Sequence, residues 1–377
     1  MSATTGKLIA IDVSLGGGNE VLSGVYRNRP RIYARLADEG CSKDLAFVVI
    51  HPTSNFMGHY LIEPLQQRGR AILALNTRFV GSDANLIIER AIQDLGAGVR
   101  YLREQGYKRI CLIGNSGGGA MVAMYQSQAE KPFIQTTPDG AHIEFSSADM
   151  PPADSIALVA AHPGRARTYT ARMDAAVVDE NDLLATNPAL NIFNADNGPP
   201  FSPEFVALVR KAQIDRNRRI TAWCLARLAL AKSMKLPITD QPFIIHRTHA
   251  DPRYVDHSLD PSDRKPGTSH GESIQEGNYK ANNLGRISTL KAWLSQWSCD
   301  LSQGDGPPNL ARTTVPVLVN YFTGDATTFP TDIRDWCEAA GTRGERVDYK
   351  GVPHYPHKFP EQIERLASSL SDWGMRG

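Results

Sequence analysis

The sequence has little of what marks a metal-binding or disulfide-stapled protein. Its 377 residues include only five cysteines, odd in number and widely spaced, and no C-x-x-C pair. Neither a zinc site nor a disulfide framework is indicated, because both depend on suitably spaced cysteines. We therefore expect a reducing, cytoplasmic setting, and we expect no metal and no cofactor.

Net charge and long apolar runs are also missing. The 41 basic and 40 acidic residues leave a formal net charge of +1, so nothing favours binding to nucleic acid or to an anionic membrane through bulk electrostatics. No apolar stretch approaches the ~20 residues that cross a bilayer, and the first residues lack the pattern of a signal peptide. The expected partner is a small-molecule substrate, while the oligomeric state, including a homodimer, stays open.

One glycine-rich motif with a central serine directly follows a predicted buried strand. Residues 114–119 read Gly-Asn-Ser-Gly-Gly-Gly and directly follow the apolar run 109–113. This order predicts a buried strand, a sharp turn that carries Ser116, and a helix that begins at Gly117. A serine hydroxyl is a weak nucleophile that needs a base and nearby N–H donors, and the start of a helix supplies such donors. We therefore predict that Ser116 is a nucleophile.

The same G-x-S-x-G pattern occurs a second time, at residues 267–271. This copy follows the polar segment 263–266, which cannot form a buried strand, so we interpret it as a loop. Only the copy at Ser116 has the strand–turn–helix context.

Predicted strands and helices alternate on both sides of a long interruption. Continuous apolar runs at 45–50, 71–75, 109–113 and 156–161 are typical of parallel strands that are covered on both faces. The alternation returns at 315–322 and continues to a last helix that contains Trp373. The pattern predicts an α/β protein with a mostly parallel central sheet flanked by helices.

Between residues 163 and 312 the alternation stops. This stretch is rich in Asn, Asp, Pro and Arg, and it contains a strong helix start at Ser202 and Pro203 and a second predicted helix near 284–297. We predict a core formed by 1–162 and 313–377, with 163–312 as a large, mainly helical cap. Such a cap would lie over the carboxyl edge of the strands, where open α/β sheets bind ligands.

The base and the acid are expected in the loops that follow the last two strands. Asp325 follows the penultimate strand, and His354 lies between the last strand and the last helix, so both would reach the sheet edge of Ser116. His357 remains an alternative base. The order Ser116, Asp325, His354 is the one expected of hydrolases with this elbow, in which the acid orients the imidazole.

On these residues the chain resembles the α/β-hydrolase superfamily in its capped form. The resemblance covers about 45–163 and 314–373 and is carried by the segments 50–52, 114–118, 324–325 and 351–354. It implies an oxyanion hole formed by the backbone N–H of Gly117 and by that of Thr53 or a near neighbour. Pro52 itself is excluded as a donor, because proline has no N–H.

Four further residues are candidates for the substrate pocket, with a structural role left open for each. They are His51, which we interpret as positioning the oxyanion turn rather than acting as a base, His59, His162 and Trp223. His246, His249 and Asp251 resemble a loose ligand cluster, but their spacing matches no strong metal motif.

The function expected from this set is that of a serine hydrolase. Its substrate would be a small to medium, largely apolar carboxylic ester or lactone, cleaved through an acyl-enzyme intermediate. Two alternatives stay open. The same residues could hydrolyse an amide or the C–C bond of a β-diketone, or the fold could bind a ligand without catalysis. A complete Ser, Asp and His set argues against a pure binding protein.

Overall fold

The computed structural model describes residues 6–13, 30–237, 240–269, 272–281 and 283–376. Its strands are β1 (Lys7–Asp12), β2 (Arg31–Ala37), β3 (Leu45–His51), β4 (Ala71–Asn76), β5 (Arg109–Asn115), β6 (Ser155–Val159), β7 (Pro242–Ile244), β8 (Thr268–Ser269), β9 (Glu272–Ser273), β10 (Ile287–Thr289), β11 (Val317–Phe322) and β12 (Gly344–Tyr349). Its α-helices are α1 (Ile62–Gln67), α2 (Ile88–Glu104), α3 (Gly118–Glu130), α4 (Arg165–Arg172), α5 (Pro203–Ser233), α6 (Pro252–Val255), α7 (Ile274–Tyr279), α8 (Leu290–Ala292), α9 (Gly306–Leu310), α10 (Pro330–Ala340) and α11 (Pro360–Arg376).

Eight of the strands form one sheet in the order β1-β2-β4-β3-β5-β6-β11-β12. The pairs β1–β2 and β2–β4 are antiparallel, and every other neighbouring pair is parallel. The central strands are buried along nearly their whole length, as expected for parallel strands covered on both faces. The prediction of a mostly parallel α/β sheet is confirmed.

Helices cover both faces of this sheet, and the pleat of each strand divides its side chains between them. In β3, Val48 and Ile50 pack in the cluster that includes α2, α3 and α10, whereas Phe47 and Val49 pack with α1 and α11. Successive side chains of a strand point to opposite faces, so a continuous apolar run buries both. The sheet is thus covered on both faces, and the carboxyl ends of its parallel strands lie along one edge.

The segment between β6 and β11 forms the predicted helical insertion. Its main element is α5, which begins where the sequence indicates, since the Ser202 hydroxyl accepts the N–H of Phe205 at 3.1 Å. The second predicted helix is different: β10 pairs with β7, and only α8 and a π-helical turn at Trp293–Trp297 follow. Although α5 is 31 residues long, no helix in the described ranges is apolar over a membrane-spanning length.

The second G-x-S-x-G copy has no strand–turn–helix geometry in its described part. Ser269 lies in the two-residue strand β8, which pairs with β9 in a small antiparallel hairpin rather than an open loop. Residues 270 and 271 of the motif lie outside the described residues.

Candidate active site

Ser116 occupies a sharp turn between β5 and α3. Its backbone is in the left-handed region with φ 55°, a conformation that costs free energy for a residue with a side chain, and its N–H donates to the carbonyl of Val159 at 3.1 Å. Close packing explains the glycines around it. A Cβ on Gly118 would overlap the carbonyl oxygen of Ile50, and one on Gly114 would lie 2.7 Å from Cα of Gly119. The elbow predicted from the sequence is therefore present.

Three side chains that are distant in the sequence meet at this turn. The Ser116 hydroxyl lies 3.0 Å from Nε2 of His354, and Nδ1 of His354 lies 2.6 Å from Oδ2 of Asp325. Both His354 and Asp325 are buried. The structure thus places the predicted base within hydrogen-bond distance of both the predicted nucleophile and the predicted acid. His357, the alternative base, is exposed and stacks on Tyr355.

The loops after β11 and β12 hold this arrangement together. The N–H of Gly324 donates to the carbonyl of Val352 at 3.0 Å, which ties the loop of Asp325 to the loop of His354. A Cβ on Gly324 would lie 2.6 Å from the carbonyl oxygen of Gly351, so the two backbones approach as closely as glycine permits. Because β11 and β12 are parallel neighbours, both loops leave the sheet at the same edge.

Thr327 is a member of the site that the sequence reasoning missed. Its backbone N–H and its hydroxyl donate to Oδ1 of Asp325 at 2.7 and 2.8 Å, and its Oγ1 lies 2.9 Å from Nδ1 of His354. Burial alone would raise the pKa of Asp325, but the His354 ring and these hydrogen bonds outweigh burial and lower it. The carboxylate therefore stays ionised beside the imidazole.

The turn after β3 differs from the sequence expectation. The backbone N–H groups of Thr53 and Ser54 both donate to Nδ1 of His51, at 3.1 and 2.8 Å. The Thr53 N–H, which we expected to serve the oxyanion, is thus already occupied, and Pro52 has none. The sequence could not reveal this, because it depends on the His51 ring folding back over its own turn.

His51 consequently presents its other nitrogen towards the elbow. Since Nδ1 accepts two N–H groups, the ring proton must reside on Nε2. Burial, followed by the charge of Arg165 and the proximity of His354, holds the pKa of His51 well below its usual range, so the ring is neutral. A Cβ on Gly117 would lie 2.9 Å from this Nε2, which places the donor beside the N-terminus of α3.

A cavity of about 220 Å³ opens at Ser116. Its lining includes His51, Thr53, His162, Arg165, Tyr169, Arg172, His249, Leu284, Trp297, Thr327 and His354. Polar and charged side chains outnumber aliphatic ones, which departs from the expectation of a largely apolar substrate. The two arginines were not singled out in the sequence, although they lie two helical turns apart on α4 and so share one face.

The remaining pocket candidates divide between two locations. His162 lines the cavity, and burial lowers its pKa well below the usual range. His59 lies behind it: Nε2 is 3.1 Å from Oδ1 of Asn115, and Nδ1 accepts the N–H of Leu61 at 3.2 Å. These bonds give His59 a structural role.

The prediction for Trp223 needs correction. This side chain is 40% exposed, packs against Phe243 and lines a separate cavity of about 710 Å³ within the insertion. The structural role that was left open for Trp223 is the one observed, since α5 packs this ring on another element of the insertion.

The loose ligand cluster is also dispersed. Asp251 pairs with Arg210 and Arg253 at 2.7 Å each, while His249 stacks near Tyr254. His246 lines the cavity at Trp223. Across the described ranges, no group of three or more His, Cys, Asp or Glu is arranged to hold a metal ion.

Several solved structures resemble the chain along nearly its whole length. A structure of DcsB in complex with its substrate analogue is 11% identical, covers 98% of this chain and 99% of that chain, and has a TM-score of 0.51. The alpha/beta hydrolase GrgF from Penicillium sp. sh18 and the esterase domain of a Rhodothermus marinus protein are each 12% identical, cover 98% of both chains, and have TM-scores of 0.49 and 0.48. No protein-family model and no curated protein matches the chain.

At these identities the likeness concerns the fold alone. Together with the strand order and the elbow between β5 and α3, it identifies the fold of this chain. The chain has the α/β-hydrolase fold, as the sequence resemblance predicted.

Proposed function

We propose that this protein is a serine hydrolase that cleaves a small carboxylic ester or lactone through an acyl-enzyme intermediate. The observation that supports this most directly is the chain of contacts from Ser116 Oγ to His354 Nε2, at 3.0 Å, and from His354 Nδ1 to Asp325 Oδ2, at 2.6 Å. A nucleophile, a base and an orienting acid within such distances are what acyl transfer requires.

The proposed reaction proceeds in two halves. His354 takes the proton of Ser116 as its oxygen attacks the carbonyl carbon, and the resulting imidazolium protonates the departing alcohol. A water then loses its proton to His354 and attacks the acyl carbon, after which the same proton returns to Ser116 and the acid is released. Asp325 keeps the imidazole oriented and stabilises its positive form, while Thr327 holds the carboxylate.

We assign the oxyanion donors to the backbone N–H of Gly117 and to Nε2–H of His51. Gly117 stands at the N-terminus of α3, where the first N–H groups have no partner within the helix. The His51 ring replaces the backbone donor that the turn lacks, because Pro52 has no N–H and those of Thr53 and Ser54 are occupied. A neutral imidazole with a fixed tautomer is a suitable donor to developing negative charge.

The cavity restricts the size of the substrate. Its volume of about 220 Å³ is below the roughly 300–1,000 Å³ of pockets that take drug-sized ligands. This favours a short acyl chain and a small alcohol group over a long-chain lipid.

Labelling with a fluorophosphonate probe tests the proposal. The wild-type protein is expected to label and to hydrolyse short-chain esters, and Ser116→Ala is expected to do neither while unfolding at an unchanged temperature. Ser269→Ala is the matched control, because Ser269 occupies the second G-x-S-x-G copy and should be dispensable. A panel that adds an amide and a β-diketone identifies the bond that is cleaved. Failure of the folded wild-type protein to label would indicate a ligand-binding protein instead.

A further inference from the structure

Two arginines of α4 line the cavity at Ser116. Arg165 and Arg172 are buried, with 8% and 7% of their surface exposed. Arg165 lies on the side of the oxyanion turn, where it donates to Oγ1 of Thr53 at 2.9 Å and to Oε1 of Gln296 at 2.6 Å. Arg172 lies on the opposite side, beside Thr327. A substrate at Ser116 would therefore lie between two guanidinium groups.

Arg172 is poorly satisfied within the protein. Its one hydrogen bond in the described residues runs from Nη2 to the carbonyl of Thr327 at 3.4 Å, and its buried Nε has no partner there. Its guanidinium also faces the ring of Tyr254 at 5.7 Å. A guanidinium offers five N–H donors, so this one can bind a further acceptor in the cavity.

Other buried arginines of this chain have more hydrogen-bond or ion-pair partners. Arg78, Arg216 and Arg247 each form an ion pair with a carboxylate at 2.6 to 2.7 Å. Arg264 and Arg286 instead donate to several backbone carbonyls. By contrast, Arg165 donates to the side-chain oxygens of Gln296 and Thr53, and Arg172 donates to one carbonyl; neither has an ion pair among the described residues. Within the same residues, Arg264 and Arg286 also lack an ion pair, but each donates to three carbonyls, whereas Arg172 has a single long hydrogen bond. A buried charge with so few acceptors is costly, so this contrast points to a ligand that supplies them.

We infer that the substrate carries a carboxylate that binds Arg172, with Arg165 adding to the positive field of the cavity. A planar guanidinium binds a carboxylate through two parallel hydrogen bonds, which gives both affinity and orientation. The inference rests on the proposed function and narrows it: the substrate class is the half-ester of a short dicarboxylic acid, or a small lactone that bears a carboxylate. The cavity volume fits a molecule of this size.

A comparison of two esters tests the inference without any substitution. Monomethyl glutarate and dimethyl glutarate present the same methyl ester, but only the first has a free carboxylate. Hydrolysis is followed by the release of methanol. We expect kcat/KM for the half-ester to be roughly 10- to 100-fold higher than for the diester, which corresponds to the free energy of a charge-assisted hydrogen bond. Equal values, or a preference for the diester, would overturn the inference.

Substitution on α4 supplies a matched pair of variants. Arg172→Gln should lower kcat/KM for monomethyl glutarate roughly 10- to 100-fold and change that for the diester by less than about threefold. Arg167→Gln makes the same change on the same helix, at a side chain that faces outward and pairs with Asp305 and Asp335. It should leave both substrates unaffected. A parallel loss on both esters in Arg172→Gln would mean a structural role, and Arg172→Lys then separates charge from packing.

A binding measurement distinguishes failure of this inference from failure of the proposed function. In calorimetry, Ser116→Ala should bind monomethyl glutarate with a Kd at least about tenfold lower than that for dimethyl glutarate. The preference should vanish when Arg172→Gln is added. Equal binding of the two esters overturns the anion site whether or not the wild-type protein turns over. Selective binding without labelling of the wild-type serine would instead retain the anion site and reject the hydrolase.

Discussion

Nδ1 of His51 accepts the backbone N–H of Ser54 at 2.8 Å as well as that of Thr53, so neither N–H group of this turn is free to donate elsewhere. A ring nitrogen that accepts carries no proton, so the donor of the neutral ring is Nε2, which faces Gly117. In the oxyanion hole that we propose, this Nε2–H takes the place of the backbone donor that Pro52 lacks. This donor depends on a local conformation of the His51 side chain, and no sequence pattern predicts that conformation.

Two substitutions at position 51 separate its acceptor from its donor. His51→Asn keeps an acceptor near Nδ1 and removes the Nε2 donor, and it should lower kcat roughly 10²- to 10³-fold, the usual effect of losing one oxyanion donor. His51→Gln keeps a donor near Nε2 and should cost much less activity but more stability, because the N–H groups of Thr53 and Ser54 lose their acceptor. Steady-state kinetics and thermal melts check both. A kcat in His51→Asn within about threefold of the wild type would contradict the assignment.

Thr327 is expected to act by positioning Asp325 and His354. Thr327→Val preserves the shape of the side chain but removes the hydroxyl that donates to Oδ1 of Asp325 at 2.8 Å. Loss of a hydrogen bond to a charged group should lower kcat roughly 10- to 100-fold with little change in KM. Thr327→Ser restores the hydroxyl and should restore kcat. An equal loss in both variants would show that loss of the hydroxyl alone does not explain the effect, because Thr327→Ser keeps it.

Packing at the elbow predicts an effect on stability at Gly118. A Cβ there would overlap the carbonyl oxygen of Ile50, which belongs to β3 and cannot move without disturbing the sheet. Helix propensity alone would favour alanine by about 1 kcal/mol, but the overlap should outweigh it and lower the free energy of unfolding by about 3 kcal/mol. Gly58→Ala is the control, since open space surrounds that position. Urea denaturation of both variants measures the difference, and a stable Gly118→Ala would contradict the packing.

The sequence was a good guide wherever function follows from position along a strand. Ser116, Asp325 and His354 each follow a predicted parallel strand, so their shared edge could be inferred before any coordinates were known. Helix α5 began at the predicted residue, because Ser202 and Pro203 are local signals. The choice between His354 and His357 needed the structure, since three residues in a loop can point in different directions.

The parts that could not be predicted depend on tertiary contacts. Whether the Thr53 N–H is free depends on the His51 ring, and whether Trp223 meets the substrate depends on how α5 packs. The role of Arg172 likewise emerges only once its surroundings can be compared with those of other buried arginines. A sequence pattern predicts which face of its own helix or strand a side chain occupies. It does not predict which residues of other elements will contact that side chain.

Stability is expected to fall in mild acid because buried histidines must remain neutral. Burial lowers the pKa of His59 to about 4, against 6.5 for an unperturbed histidine. Between these values the unfolded chain binds a proton that the folded one does not. The contribution of neutral His59 to the free energy of unfolding is therefore complete above about pH 6.5 and is lost as the pH falls towards about 4. Between about pH 7.5 and pH 5 the loss amounts to about 2 kcal/mol. His51 and His162 act in the same direction.

Removing the titrating ring should flatten this dependence. His59→Gln is expected to be less stable than the wild type at about pH 7.5, because the ring's bonds to Asn115 and Leu61 are lost. Between about pH 7.5 and pH 5, the free energy of unfolding of this variant should fall by about 2 kcal/mol less than that of the wild type. His142→Gln, at an exposed position, serves as the control and should keep the wild-type difference. Urea denaturation at the two pH values measures the difference in free energy of unfolding. An unchanged pH dependence in His59→Gln would mean that this ring has the same pKa in the folded and the unfolded protein.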